Sequence, residues 1–257
     1  MDDRKSASLP EPVWTEVFTV RVFETDANGT LAVRSFCDYL QEAAGNHVRK
    51  LGVSVDQLLA TGRTWVLSRL RARIERLPRN GEQVTVRAWP SGFDRLFALR
   101  DFVVSDAHGQ RIASAISAWL VLDTRSKRPV RVQTVFAVPS PADTPRALAE
   151  SFEKLDGPGS PFLEREITVR WSDLDVNRHV NNSRYAEWAM EGAVDNPAGT
   201  GTLARLDIDF LAETQHPGKV LVRTRQVSGS PAHMSHAIVR AEDGTEAARV
   251  RTEWRTS

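Results

Sequence analysis

The sequence of 257 residues contains one cysteine, Cys37. A single cysteine cannot form a disulfide within the chain, and it excludes a metal site built from several cysteines. The sequence also lacks any run of about 18 apolar residues, so a membrane-spanning helix is not expected. The N-terminal residues MDDRKSASLPEP are charged and lack the apolar segment of a signal peptide. We therefore expect a reducing, cytoplasmic location.

An excess of charge of one sign is absent as well. The 34 Lys and Arg residues nearly balance the 33 Asp and Glu residues, which gives a formal net charge of +1. Such a chain has no overall field that would attract nucleic acid or an anionic membrane. Its 41% hydrophobic and 26% charged residues are typical of a soluble globular protein with one large domain or two small ones.

The first part of the chain shows the pattern of a strand, a polar loop, a long helix and further strands. Alternation predicts a strand in residues 14–23, and apolar residues at three- and four-residue steps predict a helix from Leu31 to Gly52. Turn dipeptides separate the strand-like stretches that follow. These stretches are residues 64–77, 82–89, 95–105 and 111–123.

A proline-rich segment, residues 125–163, divides the chain, and we interpret it as a linker with a short helix in residues 144–155. The order of elements then begins again. A strand is predicted at residues 166–171 and a helix at residues 183–194. Four strand-like stretches complete the chain: residues 202–212, 219–227, 233–241 and 247–255.

This order indicates a tandem duplication, and the two copies align at an offset of 149 residues. A long helix covering the apolar face of an antiparallel sheet is the hotdog arrangement. Two such units side by side would share one continuous sheet and remove an exposed edge. We predict an α+β fold, a double (tandem) hotdog, with an N-terminal unit at residues 1–124 and a C-terminal unit at residues 164–257. At the offset, the matched pairs are Asp26 with Asp175, Asn28 with Asn177 and Thr30 with His179.

The segment DVNRHVNN, residues 175–182, carries the candidate chemistry. Asp175, Asn177 and His179 alternate, so extended backbone would project them to one side. Asn181 and Asn182 stand where the N-cap of the next helix is expected, and a helix N-terminus can stabilise a developing oxyanion. Asp and Asn are also common in turns for local reasons. The first copy lacks the histidine, however, so the fold of the unit does not require it.

The segment WSDLDVNRHVNNSRYAEWAME resembles the signature of the acyl-acyl carrier protein thioesterases, plant-type enzymes and their bacterial relatives. In the first half, YLQEAAGNHVRKLG and WVLSRLRARIERLPRNGEQVTVRAW resemble the same family, and the likeness covers about residues 15–255. The resemblance implies a double hotdog that hydrolyses fatty acyl-acyl carrier protein to free fatty acid and holo-acyl carrier protein in fatty acid biosynthesis. It implies no cofactor and no metal. The expected partner is a carrier protein bearing a phosphopantetheine thioester, and the protein would be a monomer or a homodimer.

The resemblance also implies the catalytic residues Asp175, Asn177 and His179, with Glu213 on a later strand. Where the family commonly has a Glu-Cys pair, this chain has Glu213 followed by Thr214, so a cysteine-based mechanism is excluded. Two mechanisms stay open. In one, Glu213, in contact with His179, activates water; in the other, Asp175 attacks the thioester directly.

Binding of the acyl chain is assigned to the N-terminal unit, and we expect Val33, Phe36 and Leu40 on the first helix to contact it. In the C-terminal unit, we expect Asn181 to bind the substrate at the start of the helix, where N–H groups would stabilise the oxyanion. An acyl-CoA thioesterase and a non-catalytic acyl-binding hotdog protein are the alternatives. Because acyl carrier proteins are acidic, two basic clusters are candidate docking patches. They are Arg69, Arg71 and Arg73, and Arg125, Lys127, Arg128 and Arg131.

Overall fold

The fold is described from a computed structural model, which covers residues 12–135, 145–160, 163–193, 201–227 and 233–255. The elements of the first half are β1 (Trp14–Thr19), α1 (Val33–Lys50), α2 (Val55–Leu59), β2 (Arg63–Ile74), β3 (Gln83–Asp94), β4 (Phe97–Asp106), β5 (Arg111–Asp123) and β6 (Pro129–Val130). Those of the second half are β7 (Leu163–Val169), α3 (Asn182–Ala193), β8 (Thr202–Phe210), β9 (Gly218–Gln226), β10 (His233–Arg240) and β11 (Glu246–Arg255). Thr144 and Val194, at the ends of two predicted helices, lie outside the described residues.

All described strands belong to one antiparallel sheet. Its order is β1-β3-β4-β5-β2-β8-β11-β10-β9-β7, and the short β6 pairs with β5. The two halves join where β2 pairs with β8, in a register that sets Arg69 against Asp209 and Arg73 against Arg205. The pairing gives each half a neighbour at what would otherwise be an open sheet edge. The predicted double hotdog with a continuous sheet is confirmed.

Helix α1 covers the sheet of the first half. Its basic last turn, with Arg49 and Lys50, suits the negative end of the helix dipole, and the chain leaves the helix at Gly52 with a φ of 76°. No helix in the described part of the chain is long and apolar enough to cross a membrane. The buried residues of α1 are Phe36, Cys37, Tyr39, Leu40, Ala43, Ala44 and His47.

The prediction of a short helix in the linker is wrong. The described residues 145–160, which we name the outer segment, contain no helix and cross the sheet face opposite α1. The backbone groups of the outer segment bond to side chains of the sheet instead of to each other. The Arg71 guanidinium donates to Glu153 O at 2.7 Å, and Leu155 N–H donates to Asp209 Oδ2 at 2.8 Å. These tertiary partners override the helix propensity of the Ala-, Leu- and Glu-containing stretch.

Candidate active site

The loop at the centre of the second half takes its shape from Asp175. Its Oδ1 atom accepts the N–H groups of Asn177 at 2.8 Å and His179 at 3.3 Å. Its own N–H donates to His179 O at 2.8 Å, which closes the loop. The three predicted residues are therefore brought together by the local hydrogen bonds of one carboxylate.

The loop of the first half repeats this geometry. Asp26 Oδ1 accepts the N–H groups of Asn28 at 2.9 Å and Thr30 at 3.1 Å. A left-handed residue occupies the same place in both loops, Gly29 with a φ of 73° and Arg178 with a φ of 63°. The carboxylate thus has the same bonds in a copy that has no histidine, so its role in loop shape is independent of any chemistry.

Glu213 follows the end of β8, where the chain turns away from the sheet. The turn is held by Ala247 O, which accepts the N–H of Ala212 at 3.2 Å, and by Val180 N–H, which donates to Thr214 O at 2.9 Å. Glu213 is thereby brought against the loop, with its Oε2 atom 3.2 Å from His179 Nε2. The expected contact between these two side chains is present, and both remain accessible, with 30% of the histidine and 51% of the glutamate side chain exposed.

The first half has no counterpart of this pair. Leu31 N–H donates to Pro78 O at 2.8 Å. This bond is equivalent to the one in the second half from Val180 N–H to Thr214 O. This equivalence places Leu77 where Glu213 stands in the second half. The first copy therefore lacks the carboxylate as well as the imidazole, a difference that the offset of 149 residues does not reveal because the loops between the strands differ in length.

Asn181 caps helix α3. Its Oδ1 atom accepts the N–H of Ser183 at 2.9 Å and the Ser183 hydroxyl at 3.0 Å. Among the described residues, the wall of the large cavity includes the next residue, Asn182, but not Asn181. Within the described part of the chain, no acceptor is recorded for the Asn182 N–H. The free donor at the helix start therefore belongs to Asn182, and the sequence-based assignment of Asn181 to the substrate is not supported by its position.

A cavity of about 830 Å³ extends from the loop into the first half of the protein. Asn177, His179 and Glu213 lie at its wall together with Asp175. From there it runs beneath α1 and over the strands of the first sheet. Its size is within the range of small-molecule sites. Further lining residues are Gln41, Ala44, Gly45 and Val48 of α1 and Trp65, Leu67, Phe93, Leu99, Arg100 and Trp119 of the sheet.

The structure places none of the three predicted acyl-contacting residues in the wall of this cavity. Phe36 and Leu40 are each 2% exposed and belong to the hydrophobic core, and Val33 packs against that core. The cavity meets α1 further along the helix, where the small residues Ala44 and Gly45 leave space. The periodicity of the helix identified its buried face correctly but not which part of that face borders a cavity.

Two buried side chains of the cavity wall were not anticipated. Arg100, 7% exposed, bonds to the Nδ1 atom of His47 at 2.9 Å, and burial lowers the pKa of Arg100 to about 10. Tyr185 of α3 is buried near Glu213, and burial raises its pKa to about 12. His47 is a buried, hydrogen-bonded histidine of α1. Cys37 is buried in the core, and burial raises the pKa of its thiol.

Sequence comparisons identify both halves. The family model for the acyl-ACP thioesterase N-terminal domain matches residues 11–138, and the model for the C-terminal domain matches residues 159–256. The chain belongs to the acyl-acyl carrier protein thioesterase family. The resemblance inferred from the signature segment is therefore confirmed.

Individual relatives of the family agree with this assignment. The palmitoyl-acyl carrier protein thioesterase of Cuphea hookeriana is 29% identical over 262 residues, covering 95% of this chain and 62% of the relative. The chain spans 60–63% of the length of three such plant relatives.

Two solved structures share the fold. An acyl-ACP thioesterase from Bacteroides thetaiotaomicron has a TM-score of 0.79 at 24% identity, covering 95% of this chain and 98% of that one. The 12:0-ACP thioesterase from Umbellularia californica has a TM-score of 0.80 at 23% identity, covering 97% and 99%.

Proposed function

We propose that this chain hydrolyses fatty acyl-acyl carrier protein to free fatty acid and holo-acyl carrier protein in fatty acid biosynthesis. The observation that carries the proposal is the His179–Glu213 pair, 3.2 Å apart at the wall of a large and mostly apolar cavity. A base next to a cavity that can hold a fatty chain is what thioester hydrolysis needs. Membership of the family supports the same reaction.

In the mechanism that we propose, Glu213 is the general base. It takes a proton from a water molecule as the water oxygen bonds to the thioester carbonyl carbon. The tetrahedral intermediate then breaks its carbon–sulfur bond, and the proton passes to the departing thiolate of the phosphopantetheine. His179 Nε2–H donates to Glu213 and fixes the direction of the carboxylate. Asn177, which lines the cavity beside them, is placed to hold the water or the thioester.

The start of α3 supplies the oxyanion site in this scheme. The Asn182 N–H has no acceptor among the described residues, and Asn182 lines the cavity. The N-terminus of a helix also carries a partial positive charge. A donor that is fixed in place before the reaction stabilises a developing oxyanion more effectively than water does.

The bonds of Asp175 favour this mechanism over direct attack by Asp175. The carboxylate already accepts two backbone N–H groups, and Asp26 makes the same two bonds in the copy without histidine. We therefore propose that Asp175 holds the loop in position and does not attack the substrate. Replacing Glu213 by Gln should lower kcat by a factor on the order of 100 or more, as loss of a general base generally does. Near-normal turnover by that variant would favour the alternative mechanism, in which Asp175 attacks the thioester.

The preferred carrier is tested by a comparison of substrates. The kcat/KM values for one acyl group on acyl carrier protein, on CoA and on pantetheine should be highest with the carrier protein. Equal or higher values with CoA would make the protein an acyl-CoA thioesterase. Binding of acyl groups without turnover of any of the three substrates would make it a non-catalytic acyl-binding protein. For location we propose a reducing cytoplasm, on the basis of the single cysteine.

A further inference from the structure

The two basic clusters of the sequence have different surroundings in the structure. Arg71 is 3% exposed and pairs with Asp209 at 2.7 Å, and Arg73 pairs with Asp207 at 2.9 Å. The outer segment covers this face and adds Glu150 as a further partner of Arg73. Charges that are buried and paired within the chain are not available to a partner. The first cluster is therefore structural.

The second cluster is exposed and free of carboxylate partners. It lies on the tight connection between β5 and β6 and on the residues that follow β6, and we name residues 124–131 the basic hairpin. Within the described part of the chain, none of its four cationic side chains forms an ion pair, and all four are exposed. They are Arg125, Lys127, Arg128 and Arg131.

The carboxylate of Asp123, next to the basic hairpin in the sequence, is engaged in its turn. Asp123 Oδ1 accepts the N–H of Ser126 at 2.7 Å, the Ser126 hydroxyl at 2.8 Å and the N–H of Arg125 at 3.1 Å. The bonds from the Ser126 N–H and hydroxyl lower the pKa of Asp123. The hairpin is thus held in one shape, and its four exposed cations outnumber this one neighbouring carboxylate.

The register of the sheet places the basic hairpin at the end that carries the proposed active site. Asp123, the last residue of β5, pairs with Arg63, the first residue of β2. Because β8 is antiparallel to β2 and Asp209 is set against Arg69, β8 ends near the start of β2, and Glu213 follows soon after that end. Lys127 and Glu213 both line the same cavity.

We propose that the basic hairpin is the docking surface for an acidic acyl carrier protein, which delivers its phosphopantetheine thioester into the adjacent cavity. The inference deepens the proposed function and rests on it. Four exposed and unpaired cations complement an acidic partner, and they would act mainly on the rate of encounter and on orientation. The nearly neutral charge of the whole chain means that the attraction is local to this surface.

The test reverses three charges that do not line the cavity, in the triple variant Arg125→Glu, Arg128→Glu and Arg131→Glu. The KM for acyl-acyl carrier protein should rise about tenfold or more, which corresponds to about 1.4 kcal/mol, while kcat is retained. Hydrolysis of the same acyl group on pantetheine should be unchanged, because that substrate lacks the protein. Added salt should raise the KM of the wild type, because it screens the attraction, and should not raise the KM of the variant, in which the three glutamates repel the acidic partner.

A matched control carries the same change in net charge elsewhere. Arg79, Arg87 and Arg111 are exposed, and Arg79 and Arg111 lie at the opposite end of the sheet, so their replacement by Glu should leave KM close to that of the wild type. An equal rise in KM in both triple variants, or no rise in the hairpin variant, overturns the proposal. If the hairpin variant loses the binding to phosphatidylglycerol vesicles that the wild type shows but keeps the wild-type KM, the hairpin is instead a lipid-binding surface. If the wild type cleaves neither acyl-acyl carrier protein nor acyl-pantetheine, the proposed function is wrong. The docking surface is then tested separately, by calorimetric measurement of carrier-protein binding to the wild type and to the two triple variants.

Discussion

Gly45 offers the sharpest test of where the acyl chain lies. This glycine is inside α1, where glycine is about 1 kcal/mol less favourable than alanine. It lines the large cavity, and a Cβ atom added to it would meet no other atom within 4 Å. A side chain at this position would therefore enter the cavity without displacing the core.

The size of the expected loss in kcat/KM follows from the number of carbon atoms that the new side chain adds to the cavity. Replacing Gly45 by Leu adds four carbon atoms to the cavity, which would displace about four methylene groups of a long acyl chain. At about 0.8 kcal/mol per buried methylene, the loss is about 3 kcal/mol, or a factor on the order of 200 in kcat/KM for the longest substrates. Chains too short to reach this part of the cavity should be hydrolysed at nearly the wild-type rate.

The assay is kcat/KM over a series of saturated acyl-acyl carrier proteins of increasing length, for the wild type, Gly45→Ala, Gly45→Leu and Lys50→Leu. Lys50 is exposed on the same helix, so its replacement adds a leucine outside the cavity. Gly45→Ala should also raise the free energy of unfolding by about 1 kcal/mol. A folded Gly45→Leu variant whose length profile matches that of the wild type would refute the placement of the acyl chain beneath α1.

Further predictions concern a cysteine, a threonine and two histidines. Iodoacetamide should not inactivate the native protein, because Cys37 is buried and burial raises the pKa of its thiol; inactivation that Cys37→Ser abolishes would contradict the carboxylate mechanism. Thr30→Ala should leave kcat nearly unchanged, whereas His179→Ala should lower it by a factor on the order of 100; equal losses would show that both halves are catalytic. Burial lowers the pKa of His236 to about 3, so the folded protein keeps it neutral while the unfolded chain binds a proton below about pH 6.5. The free energy of unfolding should therefore fall by up to about 1.4 kcal/mol per pH unit as the pH drops below about 6.5. Urea denaturation at several pH values measures this slope, and an equal slope in His236→Gln would assign it to other groups.

The sequence was sufficient for the order of the main elements and for the duplication, but not for the short α2 and β6. Alternation located the strands, and a change to three- and four-residue steps located α1, because these periods follow directly from the geometry of each element. The loop around Asp175 was also predictable, since its bonds are local and involve neighbouring residues. The contact between His179 and Glu213 joins residues far apart in the sequence, and it was expected only through the resemblance to the family.

The outer segment and the cavity could not be predicted from local patterns. Residues 145–160 have few apolar periodic positions, and their conformation depends on arginines from distant strands. Alternation in β2 places Arg71 on the face away from the core, but nothing in the local pattern indicates that the outer segment covers it. The position of the cavity had one signal in the sequence, the glycine inside α1, because a helix tolerates such a residue at a cost in stability.

The proposed site is built from both halves, and this explains why a tandem chain suits it. The second half contributes His179 and Glu213, while the first half contributes the later turns of α1 and the strands beneath them. In a symmetric dimer of identical hotdog units, each loop would carry the same residues, and the two sites would be equivalent. Fusion of the two units frees the copies to differ while the shared sheet is kept. Two of the differences are Thr30 and Leu77, which stand where the second half has its imidazole and its carboxylate, so one copy can provide space for the acyl chain while the other provides the chemistry.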